Sequence, residues 1–113
     1  MIINCKVTDT KLKSDAAQIT RLTRGYLYCK FEFLNPEDWA ETEKHARFEN
    51  VKSGVKRSAI IDSEGMCLVP WECLTTEGYL KFSAHGERAD GYIINTDPCK
   101  TYLRDTIDGG EDS

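Results

Sequence analysis

Hydrophobic and polar residues alternate with a period of two over much of the chain. The clearest example is the run YLYCKFEFL, which spans 26–34. Side chains on a β-strand point alternately to opposite faces, so this run predicts a strand that is buried on one side only. The residues on its apolar face are Leu27, Cys29, Phe31 and Phe33.

The same alternation recurs, in shorter or weaker form, along the rest of the chain. The run YLKFSAHG at 79–86 places Leu80, Phe82 and Ala84 on one side of a second strand. The stretch KRSAIIDSEGMCLVP predicts a hairpin, because Gly65 can adopt the positive φ that a tight loop needs. Weaker patterns predict strands at 2–8, 42–48, 92–95 and 99–103.

Helical signals are confined to two short segments that contain proline. Asn35 and Pro36 resemble a cap and a first helical position, and the apolar spacing stops after Trp39, which predicts one or two turns. Pro70 opens a second single turn. Seven or eight short strands, with turns about every ten residues, are typical of a two-sheet sandwich or a small barrel. We predict an all-β fold, a small two-sheet sandwich that is immunoglobulin-like or related.

The length and the charge distribution indicate one domain and a tail. A chain of 113 residues has room for a single core. Fifteen Lys and Arg stand against nineteen Asp and Glu, and four of these acids lie in 105–113, which has no base. The body at 1–104 is therefore formally neutral. We predict one β-sandwich domain over 1–104 and a flexible acidic tail over 105–113.

Charge and hydropathy also argue against nucleic acid and membranes as partners. Phosphate binding needs a cluster of Lys and Arg, and the sequence contains none. No apolar run approaches the roughly 20 residues that span a bilayer. The first ten residues lack the basic and apolar pattern of a secretion signal, so we expect synthesis in a cytoplasm.

No residue pattern indicates catalysis, a cofactor or a metal ion. The five Cys form no C-x-x-C pair, and the nearest two, Cys67 and Cys73, are separated by five residues. This spacing favours buried free thiols over a zinc site. Ser83, His85 and Asp90 are close in sequence, but no nucleophile elbow or oxyanion loop accompanies them. We expect a protein that is not an enzyme and that binds neither a cofactor nor a metal ion.

Three tyrosines lie on the polar faces of predicted strands. Tyr26, Tyr28 and Tyr79 can pack across strands, form a protein interface or stack on a sugar ring, and the sequence leaves these alternatives open. Trp39 and Trp71 each follow a turn that contains proline. We expect both indoles to cover the core.

Six segments follow one another in an order that is itself informative. They are YLYCKFEFL at 26–34, PEDW at 36–39, ARF at 46–48, GMCLVPWECL at 65–74, GYLKFSAHG at 78–86 and IINT at 93–96. In this order they resemble the amino-terminal domain of the upper baseplate proteins of phages that infect Gram-positive bacteria. The resemblance covers about 2–103, and V-P-W-E at 69–72 is its most specific element. It implies structural roles for Trp39, Pro70, Trp71 and Glu72.

The resemblance implies a small virion module without catalytic residues. Family members of the baseplate kind continue into a helical stalk, whereas this sequence ends in an acidic tail. We therefore expect an accessory structural protein of the virion, attached to the tail or baseplate or to the capsid surface, and made in the host bacterial cytoplasm. Its expected partners are other virion proteins and copies of itself, with a trimer favoured. The alternative is a carbohydrate-binding module that recognises host cell-wall glycan.

Overall fold

The computed structural model describes residues 2–16, 18–20 and 27–104, and within them it contains ten strands and two short 3-10 helices. The strands are β1 (Ile2–Thr8), β2 (Lys11–Ser14), β3 (Gln18–Thr20), β4 (Tyr28–Phe33), β5 (Glu43–Asn50), β6 (Lys56–Ile60), β7 (Met66–Leu68), β8 (Gly78–Glu87), β9 (Ile93–Asn95) and β10 (Cys99–Arg104). The helices are η1 (Pro36–Trp39) and η2 (Trp71–Leu74). The predicted all-β sandwich is confirmed. The predicted tail at 105–113 lies outside the described residues.

The strands form two sheets, here called sheet A and sheet B. Sheet A has the order β2-β1-β4-β7, in which β1 and β4 are parallel and the other neighbours antiparallel. Sheet B has the order β3-β10-β8-β5-β6, in which β3 and β10 are parallel and the other neighbours antiparallel, and β9 pairs with the end of β8. The prediction of seven or eight strands was too low, because β2 and β3 are too short to show an alternating pattern.

The core lies between the two sheets, where their apolar faces meet. Cys29 and Phe31 of β4 are buried, as are Leu80, Phe82 and Ala84 of β8, so both predicted apolar faces are confirmed. Burial of one large apolar side chain contributes roughly 1.5–3 kcal/mol. Burial of the apolar faces of the strands therefore stabilises the packing of one sheet on the other.

The predicted hairpin between 56 and 70 is wrong in its strand pairing. β6 pairs with β5 in sheet B, whereas β7 pairs with β4 in sheet A. The turn itself is tight, because the Asp62 amide donates to the Met66 carbonyl at 2.9 Å. Ile61 and Cys67, on either side of the turn, are both buried in the core. The segment is thus a crossing from one sheet to the other, and the turn residues predict only the reversal of the chain.

Both predicted helical turns are present, although one is not capped as expected. Asn35 makes no side-chain cap to η1, and its Oδ1 instead accepts a hydrogen bond from the Asp9 amide at 2.9 Å. Pro36 occupies the first turn of η1 as predicted. The Asn35 side chain therefore ties the end of β4 to the turn after β1.

Asn50, at the end of β5, is a buried polar residue with all its hydrogen-bonding groups satisfied. Its Nδ2 donates to the carbonyls of Cys73 and Thr76 at 3.0 and 2.9 Å. Its Oδ1 accepts from the amides of Lys52 and Ser53 at 3.1 and 3.0 Å. One carboxamide thus joins β5, the turn that follows it, and the segment around η2.

Gly65 allows the crossing turn to lie directly against β4. Its φ is +83°, and a Cβ at this position would lie 2.3 Å from the Phe31 carbonyl oxygen. The Gly65 carbonyl in turn accepts a hydrogen bond from the Phe31 amide at 2.8 Å. A side chain at Gly65 would therefore displace backbone atoms of Phe31, which belongs to the core strand β4.

We predict that Gly65→Ala lowers the free energy of unfolding by about 3 kcal/mol or more, because backbone strain and a steric clash add together. Gly54→Ala is the matched control, since Gly54 has a similar φ of +78° and no atom lies within 4 Å of the position that its Cβ would take. The control is expected to cost about 1 kcal/mol, from strain alone. Urea denaturation measures both values, and equal losses would contradict the role assigned to the clash.

Candidate functional site

The structure separates the tyrosines that the sequence analysis singled out. Tyr26 lies outside the described residues. Tyr28 is half-buried on the outer face of sheet A, since its neighbour Cys29 faces the core, and Tyr79 is 45% exposed on the outer face of sheet B. Tyr28 and Tyr79 therefore lie on opposite sides of the sandwich and do not share one surface.

Tyr28 lies at the centre of an apolar row on sheet A. The strand register places Ile2 of β1 on one side of it and Leu68 of β7 on the other. Ile2 and Leu68 are 49% and 44% exposed. Adjacent exposed apolar side chains of this kind form a contiguous patch, a feature of contact surfaces. We call Ile2, Tyr28 and Leu68 the sheet A row.

The sequence analysis missed two members of the sheet A row. Leu68 alternates with the buried Cys67 and Val69, which is a signal for an outward side chain. That signal was hidden because the whole stretch is apolar, so no polar residue marks its outer face. Ile2 becomes a neighbour of Tyr28 only through the parallel pairing of β1 with β4, which no local pattern predicts.

Tyr79 packs against neighbours on sheet B and borders a groove. Its ring meets the Tyr102 ring edge to face, with centroids 5.1 Å apart, and Lys100 Nζ lies 4.7 Å from the centre of the Tyr79 ring. The Tyr102 hydroxyl donates to Glu77 Oε2 at 3.0 Å. Tyr79 therefore takes part in cross-strand packing, while part of its side chain stays exposed beside the groove.

The groove beside Tyr79 has a volume of about 450 Å³. The residues that line this Tyr79 groove are Val51, Lys52, Glu77, Gly78, Tyr79 and Tyr102. It combines aromatic rings with an amine and a carboxylate, which are groups that can bind the hydroxyls and the apolar face of a sugar ring.

The two tryptophans have opposite environments. Trp39 is buried as expected, and its ring centroid lies 4.8 Å from that of Phe33. A Cβ on Gly86 would lie 2.9 Å from an atom of the Trp39 indole ring. The expectation for Trp71 is wrong, because its side chain is 47% exposed. η2 buries Cys73 and Leu74 at its far end, so its first residue is turned outward.

The remaining residues of the V-P-W-E segment lie beside Trp71. Pro70 is half-buried and immediately precedes η2, and Glu72 is exposed. The Pro70 carbonyl accepts a hydrogen bond from the Cys73 amide at 3.1 Å, which closes the turn. The V-P-W-E segment thus contributes to the turn that connects β7 to β8.

Ser83, His85 and Asp90 do not share hydrogen bonds. His85 Nδ1 lies 2.6 Å from Asn95 Oδ1, and its Nε2 lies 3.5 Å from Glu87 Oε1. Asp90 Oδ1 accepts from the Tyr92 amide at 3.1 Å. The side chains of His85 and Asp90 therefore form hydrogen bonds with different residues.

All five cysteines are free thiols, and four of them are buried. Burial raises the pKa of Cys67 to about 12 and that of Cys99 to about 11. The pKa of Cys29 is raised mainly by a hydrogen bond with Cys5 and secondly by burial. Burial also raises the pKa of Cys73. Since the thiolate is the reactive form, these thiols are poor nucleophiles and poor ligands at neutral pH.

Two further features concern the described part of the chain as a whole. Over residues 2–16, 18–20 and 27–104, no three His, Cys, Asp or Glu side chains converge as they stand on a point that suits a metal ion. In the same residues there is no helix with the length and apolar character to cross a membrane.

Comparison with known proteins identifies a fold relative among phage proteins. No protein-family model matches the sequence, and no curated protein matches it. Among solved structures, the N-terminal domain of phage TP901-1 ORF48 is similar, with a TM-score of 0.52 and 8% sequence identity. The match covers 92% of this chain and 95% of that chain. The two chains therefore share a fold over nearly their whole lengths.

The burial of the thiols predicts their reactivity towards a disulfide reagent. After denaturation without reductant, we expect five thiols per chain to react, because none is oxidised. In the native protein at pH 8 we expect slow reaction, with half-buried Cys99 modified first. Absorbance after mixing with the reagent measures both phases. Fewer than five thiols in the denatured chain, or immediate modification of Cys29, would contradict this prediction.

Proposed function

We propose that the protein is a noncatalytic structural component of a phage virion. It is a β-sandwich module that attaches to the tail or baseplate, or to the capsid surface as a decoration protein. The observation that supports this most directly is the fold shared with the N-terminal domain of phage TP901-1 ORF48 over 92% and 95% of the two chains. The order of segments in the sequence supports the same class of protein.

The sheet A row is the surface that we assign to attachment. An aromatic side chain flanked by two exposed aliphatic ones matches the apolar centre of a protein interface, where aromatic residues are enriched. Three residues alone do not supply the roughly 1,000 Å² that a specific interface buries, so the surrounding outer face of sheet A forms the rim. Lys6, Lys30 and Glu32 provide polar groups on that face.

Attachment is tested by mixing the fluorescently labelled protein with purified tails and, separately, with capsids, followed by sedimentation. We expect saturable binding to one of the two, at a copy number set by the symmetry of the particle. Leu68→Ser removes an exposed apolar side chain from the sheet A row and is expected to weaken binding at least tenfold. Tyr79→Ser, on the opposite face, is the matched control and is expected to bind normally. Binding to neither particle would overturn the proposed function.

We also predict that the isolated protein forms a symmetric homo-oligomer, with a trimer as the favoured closed form. A formally neutral body has little long-range self-repulsion, and several weak contacts made together increase avidity for a symmetric attachment point. Sedimentation over a roughly hundredfold concentration range measures the assembly state. A strict monomer at about a millimolar would refute this prediction, since contacts near 4 kcal/mol are visible there.

The alternative function, recognition of host cell-wall glycan, is favoured by the Tyr79 groove. Titration of the protein with wall polysaccharide tests it by calorimetry, with Tyr79→Ala as the variant that weakens sugar binding. Lys100 already lies over the ring of Tyr79, so a sugar has to displace it before it can stack there. This competition makes the glycan function the second candidate. Saturable sugar binding that Tyr79→Ala abolishes would favour it over the virion module.

A further inference from the structure

The register of sheet B brings four bases from distant parts of the sequence onto one surface. Lys56 of β6 and Lys81 of β8 both lie opposite Glu49 of β5. Lys100 of β10 lies opposite Lys81 on its other side. Arg47 lies two positions from Glu49 on β5, so its side chain points to the same face. We call these four bases the basic band, which consists of Arg47, Lys56, Lys81 and Lys100.

The basic band lies on the outer face of sheet B. Phe48 of β5 and Phe82 of β8 are buried in the core, so the residues next to them on these strands point outward. Arg47, Lys56 and Lys81 are accordingly exposed. The sequence analysis found no cluster of Lys and Arg because these bases lie on four different strands and come together only through strand pairing.

The positive charge of the basic band is only partly neutralised. Glu49 is the one acid that the described strands place among the four bases, and its Oε1 lies 3.6 Å from Lys81 Nζ. The side chains of Arg47 and Lys56 form no hydrogen bond or ion pair with another described residue. Four bases and one acid leave a local charge of +3, whereas the whole chain has a formal net charge of −4.

Two further acids of the same face lie at the far end of the strands. Glu43 and Glu87 are four positions from Arg47 and Ser83 along β5 and β8, which corresponds to about 13 Å. Interactions between exposed charges are largely screened beyond the Debye length of about 8 Å at physiological ionic strength. These two carboxylates therefore do little to neutralise the basic band.

The spacing of the bases suits an acidic peptide in an extended conformation. Arg47 is a diagonal neighbour of both Lys56 and Lys81, and diagonal neighbours on paired strands are about 7–8 Å apart. Alternate side chains of an extended chain point the same way and are roughly 6.7 Å apart. Two carboxylates at alternate positions of a peptide can therefore reach Arg47 and one lysine together. A depression of about 260 Å³ among these three bases has room for them.

We propose that the basic band binds an acidic, extended segment of a partner protein. Arg47 is the central contact, because a guanidinium can bind a carboxylate through two parallel hydrogen bonds. Lys100 lies at the margin, since its Nζ is 4.7 Å from the centre of the Tyr79 ring. A protein segment fits better than a nucleic acid, because the band can neutralise only about three phosphates and the net charge of the chain repels a long polyanion. The basic band and the sheet A row lie on opposite sides of the sandwich, so this proposal does not depend on attachment through sheet A.

The test measures binding of a fluorescently labelled peptide to the full chain by anisotropy at about 50 mM salt. The probe is a peptide of eight residues in which Glu and Thr alternate. We expect saturable binding that weakens about tenfold in Arg47→Glu and in Lys56→Glu, because both substitutions replace attraction by repulsion. Lys13→Glu is the matched control, since it makes the same change of net charge at an exposed position of β2 in sheet A and is expected to leave binding unchanged. All three positions are exposed, so the variants are expected to fold.

Two further probes test the geometry and the class of partner. A peptide of the same composition with its four Glu residues contiguous is expected to bind at least threefold more weakly, and equal binding would contradict the proposed spacing. A short DNA duplex is expected to bind more weakly than the alternating peptide, and tighter binding would assign the basic band to phosphate groups instead. The proposal would also be overturned by the absence of saturable binding at about a millimolar peptide, or by an equal loss in Lys13→Glu, which would show that only net charge matters.

Discussion

The buried carboxamide of Asn50 is the interaction on which the arrangement of sheet B depends. A buried amide that loses its partners costs about 1–3 kcal/mol for each unpaired group, and Asn50 satisfies four groups at one point. It is also the last paired residue of β5, opposite Leu80 of β8. The four hydrogen bonds therefore hold the end of the longest ladder in its register.

That register also determines which side chains lie opposite each other at the other end of the β5–β8 pairing. A shift of one residue would turn every side chain of β5 to the opposite face. Phe48 would leave the core, and His45 would no longer lie beside His85. The core packing of Phe48 and the position of His45 beside His85 are thus consequences of one pairing.

Much of this fold could be predicted from local patterns, because strands that are half-buried show a period of two. β1, β4, β8 and β10 were located in this way, together with both proline turns and the positive φ of Gly65. Pairing between distant segments could not be predicted, since it depends on tertiary contacts. The crossing at 62–65, the exposure of Trp71 and the opposed histidines all follow from such contacts. Local patterns contain no information about them.

Three of the six segments that resemble the phage baseplate domain meet at one place in the core. Trp39, from the P-E-D-W turn, packs on Phe33 at the end of β4 and on Gly86 near the end of β8. Gly86 has no Cβ, and a larger residue would collide with the indole. These residues therefore carry information about how the chain folds and little about what it contacts. The similarity to the solved phage domain, at 8% identity, likewise concerns the fold alone.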